Sequence, residues 1–137
     1  MAILIDTNVL FAGSFAKDAK HSSATRLLRL VRDEQPIIPA PVLSELFYLA
    51  SVRVHYNHAI VLFSSVQNAF QIEPLTTDDM RRMEQIMIQY ASAEFDFTDA
   101  AIMAQAERLN STQIATFDRR DFSIFRPAHC EYLELLP

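Results

Sequence analysis

Residues 2–8 read Ala-Ile-Leu-Ile-Asp-Thr-Asn. Four apolar residues in succession describe a short strand that is covered on both faces. Such strands lie inside parallel sheets, whose faces are closed by crossover helices. The rest of the chain must therefore supply more strands and enough helix to cover them. Asp6 follows where this strand leaves the sheet, and ligands of open α/β sheets gather at the carboxyl ends of strands. A carboxylate there is either a cap for the next helix or part of a site. The answer depends on whether other acids reach the same edge.

The chain alternates in the way this demands. Residues 7–15 begin a short helix, with Asp6 or Thr7 as its cap. Residues 21–32 carry Ala24, Leu27, Leu28 and Val31 at helical spacing, with Arg26, Arg29 and Arg32 turned away. Pro36 is expected to stop that helix, and Ile37 and Ile38 form a minimal second strand. Pro41 suits a first helical position, and residues 41–52 are apolar nearly all round, which predicts a buried helix. Residues 57–69 read as another helix and 70–75 as a third strand. His55 and His58, before and in that helix, have no third ligand spaced for zinc and read as surface residues.

Thr76 or Thr77 caps a helix through residue 90, with Asp78 and Asp79 in its first turn. Residues 100–109 form a further helix, with Asn110 as its stop. Residues 112–117 are a fourth strand and 129–136 a fifth, with Cys130 a small core residue in it. Helical connections between strands predict one α/β domain over residues 1–137. Its central sheet has about five mostly parallel strands, with helices on both faces.

Composition narrows the function. The formal net charge is −5, which argues against a general nucleic-acid coat but not against a nuclease whose acids collect at one metal site. Gly13 is the only glycine, so glycine-rich phosphate loops and dinucleotide fingerprints are absent. Cys130 is the only cysteine and has no internal disulfide partner. The apolar segments are too short or too interrupted to span a bilayer, and residues 1–8 lack the features of a secretory leader. A soluble cytoplasmic protein, with no membrane partner, is expected.

Four acids stand where the predicted elements place them at one edge. Asp6 and Asp118 each end a buried strand, and Glu45 and Asp99 each begin a helix after a short loop. Each has a simpler alternative. Glu45 also suits a helix N-terminal dipole, and either Asp96 or Thr98 can cap the helix that holds Asp99. Glu45 is the one charge on its helix, and burying it ionised and unpaired costs on the order of several kcal/mol. Gathered carboxylates need a counter-charge, and hard divalent cations supply it through oxygen ligands. With no cysteine–histidine set, Mg²⁺ or Mn²⁺ is favoured over zinc. Such a site suits phosphodiester hydrolysis by a metal-activated water. Thr7, Asn8, Ser44 and Thr116 are polar neighbours suited to orienting water or phosphate, and Arg119 and Arg120 to holding flanking phosphates.

The segments IDTNVL, SEL, FTDAAI with AERL, and ATFDRRDF, in that order, resemble the PIN-domain ribonucleases, with the nearest likeness to VapC-like toxins of toxin–antitoxin pairs. The resemblance covers essentially the whole chain. It implies a three-layer PIN-like fold and a Mg²⁺-dependent endoribonuclease. By its pattern Asp6, Glu45, Asp99 and Asp118 form the metal site, with Asp6 and Asp99 the most direct ligands. Thr7, Asn8 and Thr116 support them, and Asp96 and Asp121 are secondary. It also implies a homodimer, inhibited by an antitoxin that inserts a segment near the acidic pocket.

Other readings stay open beside it. An RNA-processing PIN-like nuclease without an antitoxin, or a non-catalytic module binding RNA or protein, would share these motifs. A haloacid-dehalogenase nucleophile at Asp6 would want a second aspartate two residues on, where Asn8 stands. A response-regulator receiver wants a lysine after a late strand, and the only lysines are Lys17 and Lys20.

Overall fold

The computed structural model describes residues 2–137. Its elements run β1 (Ile3–Ile5), α1 (Thr7–Ser14), α2 (His21–Val31), β2 (Pro36–Pro39), α3 (Ala40–Arg53), α4 (Tyr56–Ala69), β3 (Gln71–Glu73) and α5 (Thr77–Gln89). A 3₁₀ turn, Ala91–Ala93, leads into α6 (Phe97–Arg108), β4 (Gln113–Ala115), α7 (Arg120–Ile124) and β5 (Glu134–Leu136). The strands form one parallel sheet in the order β3-β2-β1-β4-β5, flanked by the helices. No helix among the described residues is long and apolar enough to cross a membrane.

β1 is the middle strand, and its three residues are almost wholly buried, as an uninterrupted apolar run requires. The chain steps to one side of β1 for β2 and β3, then returns across it to β4 on the other side. Right-handed crossovers in opposite directions place their helices on opposite faces. They also open a crevice at the carboxyl ends of β1 and β4, where the strand order reverses.

α6 is the most enclosed helix. Residues from Thr98 to Ala106 are buried without a break, four of them alanines that let neighbours approach closely. α5 is tied to α6 by two clusters of charge. Arg82 makes a two-pronged contact with Glu107, at 2.6 and 3.0 Å, and Arg108 makes one with Asp79, at 2.8 and 3.0 Å. Asp79 also completes a capping box with Thr76. Burial works against the charge on Asp79, but hydrogen bonds from Arg108 and Thr76 outweigh it and hold the carboxyl below its usual range.

Several elements differ from their sequence-based expectation. α2 ends at Val31, well before Pro36, which opens β2 instead. The turn between them needs Gln35 in the left-handed region, at φ 54°. α3 is buried only along Val42, Leu46 and Ala50, and Tyr48 and Val52 remain 64 % exposed. One stripe suffices to seat α3 on the core beside α4 and α1, so the apolar composition of α3 overstates its burial. β5 covers only Glu134–Leu136. Residues 129–133 before it are irregular, and Cys130 lies there half-buried, packed against the core's edge with its thiol directed at the Tyr132 carbonyl. α7 was not foreseen. It is five residues long, and Phe122 and Phe125 anchor it in the core. His55 caps α4, its Nδ1 accepting the His58 amide at 3.0 Å.

Candidate metal centre

The site is built from the two central strands outward. Asp6 leaves β1 as the N-cap of α1, and its Oδ1 accepts the Thr7 amide at 2.8 Å. Its Oδ2 accepts the Thr116 hydroxyl at 2.8 Å, across from the end of β4. Asn8 spans the same gap, donating weakly to Asp6 Oδ2 and accepting the Phe117 amide at 3.0 Å. Asp6 is thus both cap and cavity residue, and the two sequence readings hold together.

α6 contributes the next pair. Asp96 is its N-cap, accepting the Asp99 amide at 2.8 Å, which leaves the Asp99 side chain free of the capping role. The turn after β4 supplies the rest. The Asp118 amide donates to the Thr116 hydroxyl at 3.0 Å, and its carboxylate accepts the Arg120 amide at 3.2 Å. That turn starts α7 and brings Asp121 inward. Asp99, Asp118 and Asp121 each offer an oxygen within 4.8 Å of the others. Asp6, Glu45, Asp99 and Asp118 all line one cavity of about 450 Å³, together with Thr7, Asn8 and Asp96.

The four acids singled out in the sequence therefore do converge, although Glu45 and Asp6 stand outside the tightest group. Asp121, secondary in the family pattern, belongs to that group. Its spacing from Asp118 became meaningful only with α7 in place. Ser44 is exposed and does not line the cavity. Arg119 reaches instead to the carbonyls of Leu135 and Pro137, beyond β4. Arg120 pairs with Asp121 at 3.1 Å. Lys20 and Arg53 are the cations that do line the cavity, and the sequence reading assigned neither of them.

Residues 3–126 match the PIN domain family. The chain is a PIN domain. Ribonuclease VapC26 of Mycobacterium tuberculosis is 28 % identical over 126 residues, which cover 91 % of this chain and 93 % of that protein. The fold is similar to that of M. tuberculosis VapC20, described as a sarcin-ricin loop cleaving toxin. The TM-score is 0.82 at 23 % identity, covering 94 % of this chain and 98 % of that one. It is also similar to a chain of a toxin–antitoxin complex from Klebsiella pneumoniae, with TM-score 0.60 at 21 % identity, covering 88 % and 90 %.

The electrostatics of this PIN domain fit a divalent cation. Burial pushes the Asp6 carboxyl up to about 6, and the nearby charges of Glu45 and Asp118 add to it against the hydrogen bonds from Thr116 and Thr7. Burial pushes Asp99 up further, to about 9, reinforced by Asp6, Asp96 and Asp121. Both carboxyls resist ionising because burial and the neighbouring acids disfavour the charged form. The Thr7 hydroxyl, also in the cavity wall, is buried and has no hydrogen-bond partner among the described residues. Every donor gathered here is an oxygen, the set that suits hard cations such as Mg²⁺ or Mn²⁺.

Proposed function

We propose that this PIN domain is a metal-dependent endoribonuclease, using Mg²⁺ or Mn²⁺ to hydrolyse RNA phosphodiester bonds with water. The observation that carries the reading is the close group of Asp99, Asp118 and Asp121, the first two of which line one cavity with the buried Asp6. The name of VapC26 and the description of VapC20 support RNA as the substrate.

In this reading Asp6, Asp99 and Asp118 hold the cation, with Asp121 beside them. When bound, the cation lowers the pKa of a water and offsets charge on the phosphate. Glu45 lines the same cavity and would take a proton or orient a water there. Thr116 and Asn8 hold the Asp6 carboxylate at a fixed angle. Thr7 offers its unpaired hydroxyl to a water or phosphate oxygen. No side-chain nucleophile is required.

The proposal extends to partners. Tyr48, Val52, Tyr56 and Ile60 leave apolar surface exposed on α3 and α4, and such patches mark contact sites. With the toxin–antitoxin complex that shares this fold, they support a toxin that forms a homodimer and is inhibited by an antitoxin. A processing nuclease would lack that antitoxin, and a binding module would not cut.

The decisive test is cleavage of RNA by purified protein with Mg²⁺ or Mn²⁺, abolished by chelator and by Asp99→Asn. Metal-independent cleavage, or an Asp99→Asn protein as active as the parent, overturns the assignment.

A further inference from the structure

Among the described residues six acids line the cavity, Asp6, Asp99 and Asp118 among them, against two cations, Lys20 and Arg53. A polyanion approaching that surface is repelled unless positive charge meets it. A metal ion answers for the phosphate at the acids, but screening confines its reach to about 10 Å at 0.1 M salt. Phosphates farther along the strand need protein cations.

Lys20 and Arg53 are free to serve. Both are exposed, and among the described residues neither is in an ion pair. Each is steadied by an aromatic ring of the cavity wall. Lys20 Nζ lies 5.2 Å from the Phe117 ring centre, and the Arg53 guanidinium 5.6 Å from that of Phe11. A ring face orients a cation without using up its hydrogen-bond donors. The cations expected from sequence are committed elsewhere, Arg119 to backbone carbonyls and Arg120 to Asp121.

Local structure gives Lys20 no other reason to be there. It is the N-cap of α2 and makes no side-chain capping bond. A positive charge is disfavoured at a helix N-terminus. Its backbone is fixed by Asp18, whose Oδ1 accepts the Lys20 amide at 2.8 Å. Arg53, in the last turn of α3, is favoured by the helix dipole and aimed over Phe11.

We infer that Lys20 and Arg53 are substrate-binding residues that hold two backbone phosphates of an RNA strand, away from the phosphate presented to the acids. This inference rests on the endoribonuclease reading. It makes binding strength largely indifferent to base sequence at these two positions.

The test is binding of a fluorescently labelled single-stranded oligouridine to the full chain across a salt series. An Asp99→Asn background prevents cutting. Each of Lys20→Met and Arg53→Gln should weaken binding several-fold at low salt. Each should reduce the slope of log K against log salt by about 0.7, the value for one single-strand phosphate contact. The double variant should lose about twice that, while Lys20→Arg and Arg53→Lys keep the slope. A double variant with the parent's slope, in a parent that cuts RNA, overturns this inference and leaves the endoribonuclease reading standing. So does loss of slope in the charge-conserving variants. A parent chain that neither binds nor cuts RNA overturns both.

Discussion

The Thr116 hydroxyl donates to Asp6 Oδ2 at 2.8 Å, joining residues 110 positions apart in the chain. The Thr116 Oγ1 in turn accepts the Asp118 amide at 3.0 Å. One buried hydroxyl therefore sets the angle of the Asp6 carboxylate and the start of the turn that carries Asp118. It does so at the crevice between β1 and β4, where their order in the sheet reverses.

Thr116→Val keeps the shape and removes the hydroxyl. Metal affinity should fall about 10–100-fold, the usual effect of losing a group that orients a ligand. Isothermal titration with Mn²⁺ checks this. An unchanged affinity would mean that Asp6 is held well enough by Thr7 and Asn8 alone.

Asp6→Asn and Asp99→Asn each remove a charge that the cation would meet. Each should lower RNA cleavage at least about 100-fold with the fold intact. Cleavage rates and circular dichroism spectra, measured on the same preparations, separate loss of chemistry from loss of structure.

The metal-free protein should lose stability as pH rises. Asp6 is raised to about 6 and Asp99 to about 9, against an unfolded value of about 4. Between those values the folded chain holds protons that the unfolded chain has released. The stability they contribute is complete below the unfolded value and is lost as pH passes through each folded one. Glu45, Asp96, Asp118 and Asp121 face these groups and sharpen the effect. Thermal melting in chelator should fall from about pH 5 to about pH 9, and Mg²⁺ should restore it most at the high end. Asp99→Asn should flatten the profile. A melting temperature that rises with pH in chelator would count against a crowded acidic site.

Asp79 is predicted to matter for stability alone. Asp79→Ala breaks the capping box with Thr76 and the paired contact with Arg108, a loss of about 2–3 kcal/mol. Melting should drop by roughly 5–10 °C. The rate of RNA cleavage well below the melting temperature should hold, because Asp79 lines no part of the cavity. A matching loss of rate would link α5 to the site.

Where local chemistry dictates structure, the sequence was legible. Ile3, Leu4 and Ile5 read as a strand inside a sheet, Thr76 or Thr77 suits the cap that Thr76 makes, and Asp6, Asp99 and Asp118, each with a capping alternative, fall at one edge of parallel strands. What escaped was decided by packing. α7 is too short to show a periodicity, and only the burial of Phe122 and Phe125 fixes it, so Asp121 could not be aimed in advance. Arg119 and Arg120 were adjacent to the right acid, but their side chains turn to Pro137 and Asp121. Lys20 and Arg53 adjoin none of the acids in sequence and enter the cavity through the α1–α2 turn and the end of α3. The exposure of Tyr48 and Val52 shows the limit of reading burial from apolar composition.

The sheet order gives the protein an awkward youth. β1 is made first, yet one of its two neighbours, β4, begins only at Gln113. A chain emerging from the ribosome must keep that side of an apolar strand unpaired through most of its synthesis, a state open to pairing with the wrong partner. A fragment broken off before Gln113 would carry Asp6, Glu45 and Asp99 but have no Thr116 or Asp118 to assemble them around. It would be more prone to clump than to cut.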